Sequence, residues 1–164
     1  MDRPAIEDLL GFTEFCWREH AATILALGDE ALMQPVPGSG WPAPRDALTH
    51  INWAYERWLA DPNGTTDAPL DVESVRSWDD IEGYRQKVRN HCRDYLSSLS
   101  DSELTTPREM NIDGEILVFS PADILVHVLL HEREHHGDIG TLLYQMGIEA
   151  PLVEYRFYLM EARA

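Results

Sequence analysis

Residues 127–138 gather the side chains of this chain best suited to chemistry. His127, His131, His135 and His136 are four of its seven histidines, and Glu132, Glu134 and Asp138 stand among them. Imidazole is the commonest neutral metal ligand near neutral pH. His131 and His135 are one helical turn apart, so on a helix their rings converge on a single ion. Two ligands from one helix do not make a tight site, and a third must come from elsewhere. His50 is the first candidate, on an arc with Ala47, Ile51, Ala54 and Trp58; His20 is the second. Three imidazoles leave a coordination position open, as catalytic zinc sites do and structural ones do not. Imidazole donors suit Zn, Ni, Cu or Fe, with zinc the first expectation.

The same run also reads H-E-x-x-H over residues 131–135, the zinc peptidase pattern in which the glutamate is general base. Its extended form is absent, because Asp138 and not glycine stands three residues after His135, and a peptidase would draw on Glu149 or Glu154 downstream. On a helical wheel Ile124, Val128, His131, His135, Asp138 and Leu142 share one stripe, expected to face a core. Glu132 falls roughly 80° off that stripe and His136 points outward. Asp138 on the ligand stripe, His127 at its edge and Glu134 are the candidates for moving protons. Two plainer readings stand beside these: a non-catalytic, stress-associated metal-binding protein, and histidines that only pack and hydrogen-bond.

Four helical patterns must position these residues. The first spans residues 6–27 and stops at Gly28, with an inward stripe of Ile6, Leu10, Thr13, Trp17, His20, Ile24 and Leu27. The second spans residues 45–60. The third starts near Ser77 and carries Ile81, Tyr84, Val88, Cys92, Tyr95 and Leu99, with His91 on its polar side. The fourth opens on Ser120 as N-cap, Pro121 at the first position and Asp123 at the third, and runs to Met146 with Gly147 as its stop. Pro- and Gly-rich loops fill residues 35–44 and 61–64. A hairpin is expected around Asp113 and Gly114, and a short tail helix over residues 153–162. The fold class is therefore all-α, a four-helix bundle in one domain over residues 1–164. The connections are long, so crossovers are expected.

The formal charge of −16 repels phosphate backbones and anionic bilayers, which argues against nucleic-acid and membrane partners. No apolar run reaches the length of a membrane span and no secretory signal opens the chain, so a cytoplasmic setting is expected. Cys16 and Cys92 form no C-x-x-C pair and are expected as buried free thiols. Trp17, Trp53 and Trp58 fit core positions better than pocket walls. The apolar start of the fourth helix, with Ile124, Leu125, Val126, Val128, Leu129 and Leu130, would suit a homodimer or cover by the tail.

The chain resembles the DinB/YfiT-like family of metalloenzymes. The likeness rests on LTH at residues 48–50, HVLLHEREHHGDI at 127–139, LLYQMGIEAP at 142–151 and the aromatic tail around Tyr155 and Tyr158. Family members often read His-x-x-x-His-Arg-Gly-Gln in the fourth helix; here His136 replaces the Arg and Asp138 the Gln. The resemblance implies a four-helix bundle with a long crossover, a divalent metal on His50, His131 and His135, and a homodimer. It also implies a low-molecular-weight thiol as cosubstrate and a small molecule as acceptor, as in the family's thiol transferases. The expected activity is thus a thiol transferase or a hydrolase, with Zn as the metal and Ni or Fe as alternatives.

Overall fold

The computed structural model describes residues 1–59, 70–112 and 114–163. Helix α1 (Arg3–Leu27) is opened by Asp2, whose carboxylate accepts from the Ala5 N–H at 3.1 Å, and is closed by Gly28 at φ 81°. A single turn, α2 (Asp29–Leu32), follows before α3 (Pro44–Trp58), which starts on a proline whose missing N–H costs nothing at a first helical position. Helix α4 (Trp78–Ser98) opens with a capping box of Ser77 and Asp80; the short α5 (Asp101–Thr105) uses Ser100 and Glu103 in the same way. Strands β1 (Arg108–Ile112) and β2 (Glu115–Phe119) pair antiparallel with Met110 opposite Leu117, and Gly114 takes the positive φ that their tight connection needs. Helix α6 (Pro121–Gln145) starts on the Ser120/Asp123 capping box, and α7 (Tyr155–Ala162) ends the fold.

Four long helices, α1, α3, α4 and α6, make the bundle. Helix α6 packs along both α1 and α3, and α3 packs along α4. Helix α4 closes the ring onto α1: Arg89 donates to Thr13 Oγ1 at 2.9 Å and to the Leu10 carbonyl at 3.1 Å, and Trp17 Nε1 donates to Glu82 at 3.1 Å. Helices α1 and α3, consecutive among the four, are therefore diagonal, and so are α4 and α6. The chain must cross over twice, and the β1–β2 hairpin lies in the second crossover. An all-α class with long crossovers and one small hairpin is what the patterning predicts.

The core runs from Ile6, Trp17 and Ile24 through Leu48, Ile51 and Tyr55 to Ile81, Val88 and Leu129. Phe12, Phe15 and Cys16 form a second, smaller cluster with Val153, Phe157 and Tyr158, which docks the tail on the far side of α1. Leu27, expected inward, is exposed. Cys16 and Cys92 are both free and buried, and burial pushes their thiols up to about 12 and about 11. His91 is exposed, with Nε2 3.1 Å from the Leu59 carbonyl. The turn expected at 61–64, the helix end at Ala60 and the hairpin residue Asp113 lie outside the described residues.

Candidate metal centre

Helices α3 and α6 bring His50, His131 and His135 into one cluster. His131 Nε2 lies 3.3 Å from His50 Nε2 and 3.1 Å from His135 Nε2, and one nitrogen from each of the three fits within 4.8 Å of the others. His135 Nδ1 is 2.8 Å from Asp138 Oδ2, and an ionised carboxylate can only accept. His135 therefore carries its proton on Nδ1 and turns the lone pair of Nε2 toward the other two rings. Neutral imidazole nitrogens facing one another at this range repel unless a proton or a cation lies between them. A divalent cation fits the donor set: three neutral nitrogens, one of them oriented by a carboxylate behind it. Burial and the neighbouring His135 hold His50 below its ordinary pKa; burial, His135 and His50 bring His131 down to about 4.

Asp138 is held in turn. Trp41, on the loop before α3, donates its Nε1–H to Asp138 Oδ2 at 2.9 Å. Partial burial works to raise the Asp138 pKa, but the hydrogen bonds from Trp41 and His135 overcome it and leave the carboxyl below its usual range. The Trp41 ring also stands 5.0 Å from His50 and 5.2 Å from His135. Sequence reasoning missed this residue. Its only signal was a large aromatic side chain in a loop otherwise made of Pro, Gly, Ser, Ala and one Val.

Two expectations are overturned on α6. His136 is not outward but fully buried, and so is Glu132. The bundle axis is lined by Leu125, Leu129, Glu132, His136, Ile139 and Leu143, while His131, His135 and Asp138 sit half-buried on the flank toward α3. The reason is that α6 packs between α1 and α3, so its buried arc is wider than one stripe and is centred between them.

Glu132 is the hub of an ion network on that axis. Its carboxylate accepts from Arg85 Nη2 at 2.7 Å, Arg89 Nη1 at 3.2 Å and the Tyr55 hydroxyl, with His136 Nε2 at 3.3 Å. Burial works to raise its pKa, but Arg85 and Arg89 reverse the balance and hold it well below the carboxylate range. A carboxylate bound this way has no lone pair facing the histidine cluster, which removes the general base from an H-E-x-x-H mechanism. His20, the alternative ligand, is also buried: its Nδ1 bonds the Cys16 carbonyl at 3.0 Å and its ring stacks on His136 at 5.0 Å. His127 is exposed, edge-on to Trp58 at 4.3 Å and 6.1 Å from the His131 ring. Glu134 is exposed and stands outside the cluster. Trp17 is a core residue under the Arg85 guanidinium, as expected, whereas Trp53 stands 5.6 Å from the His50 ring.

Among the described residues, no helix is long and apolar enough to cross a membrane. No curated protein matches the sequence. The family model of the DinB superfamily matches residues 5–139, from the first turn of α1 past all three clustered histidines, and the chain belongs to the DinB superfamily.

Proposed function

We propose that the protein is a metal-dependent enzyme that holds a divalent cation on His50, His131 and His135 and activates a low-molecular-weight thiol, or water, for transfer to a small molecule. The observation that carries this reading is the convergence of three imidazole nitrogens from two helices, with Asp138 fixing the tautomer of one. Such a cation would supply Lewis acidity, which would lower the pKa of a bound thiol or water. Zinc is the first choice of metal, with nickel and iron as alternatives.

The protein's own groups divide the remaining work. Asp138 keeps His135 presenting Nε2, and Trp41 keeps Asp138 in place. His127, exposed at the rim beside Trp58, is placed to accept a proton released by the nucleophile. Asp138 is a positioning residue in this scheme, and Glu134 has no part in it. The reading includes a single domain over residues 1–164, a cytoplasmic setting and a homodimer; the exposed Leu130 and Tyr144 of α6 support the last, and light scattering tests it.

The test is metal analysis of reconstituted wild type and His131→Ala, with thiol-conjugation and ester-hydrolysis assays on both. About one equivalent of metal in the wild type, lost together with turnover in the variant, is expected. Absence of stoichiometric metal would sink the reading. Metal without either activity would leave the second reading, a non-catalytic metal-binding protein.

A further inference from the structure

An open cavity of about 310 Å³ lies beside His50, lined by Trp41 and Trp53 and by Pro42, Leu70 and Val72. It is at the small end of the range for small-molecule sites and shares their character, largely apolar with few polar groups. Two indoles flank the same imidazole, at 5.0 Å and 5.6 Å from the His50 ring. Trp41 belongs to both places, since it walls the cavity and bonds the carboxylate behind His135. Among the described residues the polar lining besides His50 is Asp46 and Thr49. Thr49 is 5% exposed, and among the described residues neither its hydroxyl nor Asp46 Oδ2 has a hydrogen-bond partner; Arg45 Nε lies 3.9 Å from Asp46 Oδ2.

We infer that this cavity is the subsite for a flat, aromatic, non-anionic part of the substrate, set against the indoles while the reacting group lies toward the histidines. The inference rests on the reading of those histidines as a metal centre. Aromatic rings gain from offset or edge contact with indoles beyond the area they bury. An anionic group is excluded twice: it would lose its hydration against apolar walls and meet the Asp46 carboxylate. The acidic surface of the whole chain works in the same direction. The substrate class is therefore a small arene-bearing electrophile without a carboxylate or phosphate on the ring side.

Methyl NMR titrations with benzyl alcohol, cyclohexylmethanol and 4-(hydroxymethyl)benzoate, which carries its carboxylate on the ring side, decide it, on zinc-loaded protein and on chelator-treated protein in parallel. Benzyl alcohol is expected to shift the Leu70 and Val72 methyls, to bind at least about threefold tighter than cyclohexylmethanol, and at least about tenfold tighter than 4-(hydroxymethyl)benzoate. Trp53→Ala is expected to weaken it about fivefold, with zinc content measured on the same sample. Equal binding of the three probes, or shifts confined to other methyls, overturns the inference. Should Trp53→Ala fail to fold, the methyl map and selectivity of the wild type decide alone. A protein that takes up no zinc sinks the metal reading, while the chelator-treated titration still tests the subsite.

Discussion

At the residue scale the clearest division is between neighbours on α6 that do different work. Asp138 touches a metal-binding candidate; Glu132, six residues earlier, touches none and ties three helices together. Substituting each should separate the two roles. Asp138→Asn removes the charge behind His135 and is expected to weaken zinc binding by about 10–100-fold with little change in stability, read by chelator competition. Glu132→Gln leaves the buried Arg85 and Arg89 with the half-buried Glu14 of α1 as their remaining counter-charge and is expected to cost about 3 kcal/mol, read by denaturant unfolding. A stable Glu132→Gln protein that had lost hydrolytic activity would restore the peptidase mechanism that the ion network argues against.

At the element scale, start signals were the most legible part of the sequence. Ser120, Pro121 and Asp123 predict the start of α6, and the structure shows the reciprocal bonds, with the Ser120 N–H donating to Asp123 at 2.8 Å. Ser120→Ala should cost about 1 kcal/mol, measured by thermal unfolding, because the Asp123 N–H loses its acceptor while the residue 120 N–H keeps the Asp123 carboxylate. Ser77 likewise marks the start of α4. The His50, His131 and His135 set was legible because i, i+4 spacing survives any rotation of the helix. Which arc of α6 is buried was not legible: the wheel gives relative angles, and the neighbours α1 and α3 fix the absolute one. The Glu132 network was hidden for a related reason. Arg85 and Arg89 lie within the apolar stripe of α4, and a search for apolar periodicity steps over charged residues even where their spacing matches the core. Trp41 was hidden because loop residues follow no period at all.

At the scale of the whole molecule, the histidine cluster joins α3 to α6, elements far apart in sequence, so a bound ion should act on global stability. At free zinc about a thousandfold above its dissociation constant, stability is expected to rise by about 4 kcal/mol, and a chelator should reverse the shift in melting temperature. An unchanged melting temperature would show that the folded chain does not bind zinc. Acidity should act through His20. Burial and the adjacent His136 bring its pKa down to about 3, from 6.5 in an unfolded chain. A histidine held neutral by the fold stabilises it fully above the unfolded value, and that contribution is lost as the pH falls toward the folded one. Between about pH 6 and pH 4 the wild type should therefore lose stability more steeply than His20→Gln, by about one proton in the slope. Parallel slopes in denaturant titrations would refute this.

The place of Trp41 has an optical consequence. Its indole lies within about 5 Å of two candidate ligands and gives its N–H to the carboxylate that orients one of them. Emission from an indole responds to charge and to quenchers at that range, so the difference spectrum between wild type and Trp41→Phe is a built-in gauge of the histidine cluster. Titrated with a quenching ion such as nickel, it should darken in proportion to occupancy, giving the affinity of the site without any assay of turnover and before a substrate is known.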